Sequence, residues 1–185
     1  MRIAILDDYQ SVALSIGGWE RLPDDVRVVA FTDHVQDENH LVARLEDFDV
    51  VCRMRERTEF PRRILERLPR LKLICATGLR NFDSIDLAAA REHGVTVCAT
   101  SSLSSPTLEL VWGLIIALSR RVAWENASVR AGGWQVVLGR GLEDSTLGVV
   151  SLGTLGVPVA RIDQAFGMRV IAWTRTSRPS AGRRR

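Results

Sequence analysis

A chain of 185 residues, 46% of them hydrophobic and 25% charged, holds enough apolar material for one domain core, or for one domain and part of a second. The formal net charge of +3 belongs to the end: setting aside Arg175, Arg178, Arg183, Arg184 and Arg185 leaves 20 of the 25 basic side chains against 22 acidic ones in residues 1–174. That balance excludes a body disordered by self-repulsion and a surface built for polyanions, so no nucleic-acid partner is expected. The longest apolar stretch, around Leu108–Leu118, is interrupted by Glu109 and too short for a bilayer. The start lacks the pattern of a secretory leader, so no membrane partner and a cytoplasmic location are expected.

Taken in order, the first hundred residues alternate strand and helix signals. Residues 2–6 form a compact apolar strand closed by Asp7, Asp8 and Tyr9. A weak helix over 12–22, diluted by Gly17 and Gly18, leads to a strand over 26–31. Leu41, Leu45 and Phe48 recur at helical spacing on a helix from about Asp37 to Phe48. A third strand covers 49–52. Thr58 is placed to cap a helix that has Pro61 near its start and Ile64, Leu65 and Leu68 on its buried side. After a fourth strand over 71–76, Asp86 can cap a helix over 87–92, Gly94 ends it, and 95–98 is a fifth strand. Short apolar strands alternating with helices predict an α/β fold whose parallel sheet is covered on both faces.

Composition shifts at the serines of 101–105, where Ser105 and Pro106 suit a helix start. The helix that follows is apolar on nearly every side and predicts burial between domains or against a second subunit. Residues 120–130 continue helically after a bend, and Trp134 with the loop to Asp144 reads as a wrap over neighbouring structure. A strand over 146–150, a tight turn, a helix over 155–166 ended by Gly167, and a strand over 169–173 then compose one βαβ unit.

The turn of that unit carries the chemistry. Ser151, Leu152, Gly153, Thr154, Leu155 and Gly156 have the spacing of a dinucleotide-binding fingerprint with serine in the first glycine position. Gly153 would let a pyrophosphate approach the backbone, and Gly156 would let helix and strand pack closely. If position 151 needs a positive φ, its Cβ costs about 1–2 kcal/mol. The bland alternative is a strand-to-helix turn that binds nothing. An NAD site usually ends its second strand with an acidic residue for the ribose; here Thr174 and Arg175 stand there, a pattern leaning toward NADP over NAD, unless these residues already belong to the tail.

Elsewhere the signals are weaker. Asp7 and Asp8 end the first strand at the edge where ligands lie in such sheets, as a possible general-base pair or as ordinary strand-end polar residues. Arg53, Arg55 and Arg57 follow the third strand, and Gly78, Leu79, Arg80 and Asn81 follow the fourth; the backbone at Gly78 with Arg55 or Arg80 could hold a small carboxylate, or these could be plain solvated loops. His34, His40 and His93 have no metal-ligand spacing with the cysteines, so no metal is expected. Cys52, Cys75 and Cys98 lie in apolar strands and read as buried thiols.

Several ordered blocks together resemble the D-isomer-specific 2-hydroxyacid dehydrogenases, over about residues 1–177. They are residues 54–58, 71–81 continuing through Ile85–Ala88, 94–97, 107–110, Gly133–Trp134 and 147–156. The resemblance implies a flavodoxin-like substrate domain segment over 1–102, an interdomain helix and partial dinucleotide-binding domain over 103–177 with an incomplete Rossmann-type βαβ unit, and a basic tail over 178–185. It implies an oxidoreductase acting on the CH–OH group of D-2-hydroxy acids with NAD or NADP, with small 2-hydroxy or 2-keto acids as substrates. The helix over 106–119 would contribute to a homodimer interface. Arg55, Gly78, Leu79 and Arg80 fall on the substrate side; Ser151, Gly153, Thr154, Leu155, Gly156, Thr174 and Arg175 fall on the cofactor side. The family's catalytic Arg, Glu and His come from later in the cofactor domain and have no counterpart here, so no catalytic residue is assigned. The chain alone is therefore expected to be inactive, with a non-catalytic nucleotide-binding or dimerising remnant as the alternative.

Overall fold

The structure, a computed structural model, describes residues 1–78 and 82–174, and the chain divides into two compact units, Met1–Ser102 and Leu103–Arg185. In the first, five short apolar segments become β1 (Arg2–Ile5), β2 (Arg27–Ala30), β3 (Val50–Arg53), β4 (Leu73–Ala76) and β5 (Thr96–Ala99). They pair in the order β2-β1-β3-β4-β5, every pair parallel. This is the flavodoxin-like order, in which the crevice for ligands opens at the carboxyl ends of the strands.

The helices between strands cover the sheet because their apolar residues recur on one side. α2 (Glu38–Leu45) buries Leu41, Val42 and Leu45. α3 (Arg62–Leu65) buries Ile64 and Leu65, and α4 (Leu87–Glu92) buries Ala89 and Ala90. They meet Ala4, Val51, Ile74 and Ala76 of the sheet in one apolar cluster. Asp37 and Asp86 start α2 and α4 by accepting from the backbone N–H of His40 (2.9 Å) and Ala89 (2.8 Å). Gly94 leaves α4 at φ +70°, the left-handed conformation that ends a helix without a Cβ clash.

Four local readings need correction. The helix expected over 12–22 is only α1 (Ala13–Ile16) followed by a short 3-10 turn at Trp19–Arg21. Gly18 at φ +64° breaks it, and the Trp19 indole N–H donates back to the Ala13 carbonyl at 2.7 Å. Thr58 does not cap α3: Pro61 occupies the N-cap position, and the Thr58 hydroxyl donates to Asp7 Oδ2 at 2.8 Å. Ser105 is already helical, with Ser104 before it. Cys52, Cys75 and Cys98 are free and half-buried rather than fully enclosed.

In the second unit, α5 (Ser105–Ser119) and α6 (Val122–Arg130) are separated by Arg121 at φ +58°, the bend expected there. β6 (Thr146–Val150), α7 (Gly156–Ile162), a 3-10 turn at Asp163–Phe166 and β7 (Arg169–Trp173) complete a right-sized βαβ unit. β6 and β7 pair in parallel from Thr146↔Arg169 to Val150↔Trp173. Gly167 turns at φ +66° between the 3-10 turn and β7. Trp112 is the buried residue of α5, and its indole stacks on Phe166 with centroids 4.9 Å apart. Trp134, expected to wrap over its neighbours, is 75% exposed. Its loop is held instead by the Glu125 carboxylate, which accepts from the N–H groups of Val136 (3.1 Å) and Val137 (2.9 Å).

Candidate functional site

In the first unit, the loops after β1, β3 and β4 are tied together by polar groups that the strand ends bring close. Asp7 leaves β1 at φ +59° and is 2% exposed. Its carboxylate meets His34 Nδ1 at 2.7 Å and accepts from Thr58, while its carbonyl accepts from Arg57 Nη1 at 3.1 Å. The Arg57 guanidinium lies over the Tyr9 ring at 4.5 Å. Asp8 turns the other way and accepts from the N–H groups of Val12 and Ala13 at the start of α1 (3.2 and 3.0 Å). Both aspartates are thus engaged in holding loops, and neither is presented as a member of a base pair.

Arg53 is expected in this region as one of three arginines after the third strand, but its burial is not, because a cation at a strand end ordinarily reads as solvent-facing. It is completely buried. Its Nη1 donates to the Thr58 carbonyl at 3.0 Å and to Ser84 Oγ at 2.5 Å, so one guanidinium fixes the loop after β3 against the segment before α4. Burial presses its pKa below the ordinary value. Continued strand would put Arg53, Arg55 and Arg57 on one face; β3 instead ends at Arg53 and the chain turns at Arg55 (φ +57°), so Arg53 alone of the three is buried.

The residues expected on the substrate side sit just beyond. Arg55 is exposed, at φ +57°, and its N–H donates to Thr77 Oγ1 at 3.0 Å. Gly78 turns at φ +96°, and its N–H donates to Thr100 Oγ1 at 2.8 Å. The structure therefore brings Arg55, Thr77 and Gly78 to one edge of the sheet. Leu79 and Arg80 lie outside the described residues.

In the second unit, the turn after β6 forms one wall of a groove of about 590 Å³, lined by Val111 and Ile115 of α5 and by Leu147–Ser151, Gly153–Gly156 and Val159. Ser151 adopts φ +77°, the strained conformation that the loop's spacing asks of its first position. Its N–H is satisfied by the Trp173 carbonyl at 2.7 Å, so β7 holds the turn in place. A Cβ on Gly156 would lie 2.0 Å from the Ser151 carbonyl oxygen, which makes glycine a steric requirement there. A Cβ on Gly153 would meet nothing closer than Ser151 Oγ at 3.8 Å, so that stretch of backbone is open to an approaching group. The first helical bonds run from Val157 N–H to the Gly153 carbonyl and from Val159 N–H to the Leu155 carbonyl. Thr154 and Leu155 are exposed, and Thr174 follows the end of β7; Arg175 lies outside the described residues, as does the tail over 178–185. Among the described residues, no cluster of His, Cys, Asp and Glu could hold a metal ion, and no helix is long and apolar enough to cross a membrane.

An open turn backbone, a glycine forced by helix-to-strand approach and a parallel strand pair fit the phosphate portion of a dinucleotide. Comparison with known proteins agrees with that geometry. Residues 112–184 match the family described as D-isomer specific 2-hydroxyacid dehydrogenase, NAD binding domain. A hydroxypyruvate reductase of Thermotoga maritima is 32% identical over 145 residues, 77% of this chain and 46% of that protein. A glyoxylate reductase of Thermococcus litoralis is 34% identical over 128 residues, 64% of this chain and 38% of that protein. A phosphoglycerate oxidoreductase from Vibrio cholerae superposes with a TM-score of 0.83 at 38% identity, covering 94% of this chain and 56% of that one. The chain spans about half the length of the relatives it matches. It belongs to the D-isomer-specific 2-hydroxyacid dehydrogenases and is a homologue of their NAD-dependent oxidoreductases.

Proposed function

We propose that the chain binds NAD or NADP through the turn 151–156 and serves an oxidoreductase acting on D-2-hydroxy acids or the corresponding 2-keto acids. The observation that carries this reading is the pairing of Ser151 at φ +77° with Gly156 packed against its carbonyl, beside the open backbone of Gly153. Ser151, Gly153, Thr154, Leu155 and Gly156 would cradle the pyrophosphate. The bound cofactor would supply or accept the hydride. The chain's own part is to present backbone N–H groups and to shape the groove with Val111 and Ile115. Thr174 and Arg175 would meet the adenosine ribose, and Arg175 favours a 2′-phosphate, hence NADP.

On the substrate side, the backbone at Gly78 and Leu79 with Arg55 and Arg80 would hold the substrate carboxylate, in a domain of residues 1–102 dedicated to that task. Residues 103–177 would form the cofactor part and 178–185 a solvated tail, in a protein of the cytoplasm. A second reading, a nucleotide-binding or dimerising protein without turnover, is favoured by one observation. α5 exposes Leu110, Leu114 and Leu118 along its length, a face suited to a second copy of the chain. Titration of the chain with NADH and NADPH, followed by fluorescence and calorimetry, tests the cofactor reading. Saturable binding, tighter for NADPH and lost in Gly153→Val, is the expected result, and binding of neither nucleotide sinks it. Oxidation of the bound NADPH by glyoxylate or hydroxypyruvate separates the enzyme from the non-catalytic reading.

A further inference from the structure

The three cysteines stand in one row across the first sheet. The register pairs Cys52 of β3 with Cys75 of β4, and Cys75 with Cys98 of β5. The preceding residues of the same strands, Val51 and Ile74, belong to the apolar core, and Val97 packs against it. Because side chains alternate along a strand, the three thiols project together from the opposite face of the sheet. All three are partly open to solvent. Free thiols on this face are surrounded by no metal-ligating carboxylate or histidine cluster among the described residues.

Adjacent parallel strands lie about 4.8 Å apart. A disulfide needs a Cα separation of roughly 4.4–6.8 Å. Each neighbouring pair therefore meets that requirement, whereas Cys52 and Cys98, two strands apart at about 9.6 Å, do not. The pairs also differ in character. A hydrogen bond from the Cys75 thiol holds the pKa of Cys52 below its ordinary value. The same hydrogen bond and burial push Cys75 well above its own, and burial raises Cys98. Cys52 is thus the more readily ionised of the two, and Cys75 the thiol beside it.

We propose that Cys52 and Cys75 form a peroxide-oxidisable dithiol site, with Cys52 as the reacting sulfur and Cys75 as its resolving partner. The Cys52 thiolate attacks one oxygen of a hydroperoxide; the O–O bond breaks, the sulfur becomes a sulfenic acid, and the other oxygen leaves as alkoxide or hydroxide and takes up a proton. The Cys75 sulfur then attacks the Cys52 sulfur. The S–S bond forms as the S–O bond breaks, and the departing hydroxide takes the Cys75 proton as water. The peroxide is reduced and the two thiols are oxidised. The link joins β3 and β4 directly beneath the loops that carry Arg55 and Gly78, and the chemistry stands whether or not those loops hold a substrate.

Trypsin cutting after Arg44 and Arg53, after Lys72 and Arg80, and after Arg91 and Arg120 puts the three cysteines on three separate peptides. The test is a peptide map of the native chain treated with hydrogen peroxide and then alkylated. The expected result is loss of free thiol at Cys52 and Cys75, a linked pair of their peptides that dithiothreitol separates, and Cys98 still alkylated. Cys98→Ser keeps the link, and Cys75→Ser replaces it with a Cys52 sulfenic acid that dimedone traps. The wild-type map stands by itself should the Cys75 variant fail to fold. Three thiols intact under peroxide, or a map dominated by Cys75–Cys98, Cys52–Cys98 or intermolecular links, overturns the proposal.

Discussion

Ser151 holds φ +77° in a turn whose other residues are glycines or lie in ordinary regions, so it concentrates the turn's strain in one Cβ. Replacing it with glycine removes that strain while leaving the N–H that donates to the Trp173 carbonyl. Ser151→Gly is expected to stabilise the second unit by about 1 kcal/mol, read as a higher melting temperature. A lower one would mean that the hydroxyl contributes more than the backbone loses. Gly156→Ala goes the other way. Its Cβ lands 2.0 Å from a carbonyl oxygen that a flexible side chain cannot vacate, so helix and strand must separate. The expected cost is about 1–3 kcal/mol, together with loss of nucleotide binding, and an unchanged melt would refute the close approach.

At the scale of elements, the starts of β1 and β3 are clamped by one carboxylate. Asp49 accepts from the Arg2 N–H at 2.8 Å, and its own N–H donates to the Arg2 carbonyl at 3.0 Å. The Arg2 backbone hydrogen bond is the main reason its pKa lies below the ordinary value, with Arg70 and Lys72 adding to it. A carboxyl depressed in the folded state contributes stability above its unfolded value of about 3.9, and that contribution drains away as pH falls through the lower folded value. Asp49→Asn should therefore melt below the wild type at neutral pH, with the gap closing under acid, as circular dichroism melts at pH 7 and pH 3 would record. A constant gap would remove the carboxylate from the account.

The same scale shows what a sequence discloses. β6 and β7 and the Asp86 cap were legible because each depends on neighbours within a few positions. Thr58 was misread as a cap since its hydroxyl serves Asp7, a residue distant in the chain and adjacent only once β1 and β3 pair. The burial of Arg53 was hidden for a related reason: its partners are Ser84 and the Thr58 carbonyl, which no local pattern announces. The turn at 151–156 declared its shape through glycine spacing, whereas the chemistry of Arg55 and Gly78 depends on loops that meet only at the sheet edge.

For the whole molecule, the apolar residues left outside set the behaviour in solution. Leu110, Leu114 and Leu118 of α5, Trp124 and Trp134, and Leu138 at 98% exposure are more than scattered surface residues. All five residues of β7 are exposed, and Val150 of β6 is as well. A two-stranded sheet of this kind presents unsatisfied edges and an uncovered face. The chain is expected to sediment as a dimer or larger at micromolar concentration, with α5 in the contact. Leu114→Glu should shift that equilibrium toward monomer, and a wild type that is monomeric by light scattering with a single cooperative melt would contradict this.

The order β2-β1-β3-β4-β5 has a consequence for how the first sheet comes into being. β2 adds beside β1, β3 takes the other side of β1, β4 joins β3, and β5 joins β4, so each strand docks at an edge of what the chain has already made. No strand waits for a gap to open between two that are already paired. A polypeptide released only as far as Ala76 already contains every final neighbour of β1, β2 and β3. The sheet can be completed outward in the direction of translation, which spares an all-parallel topology part of the delay that its distant pairings impose.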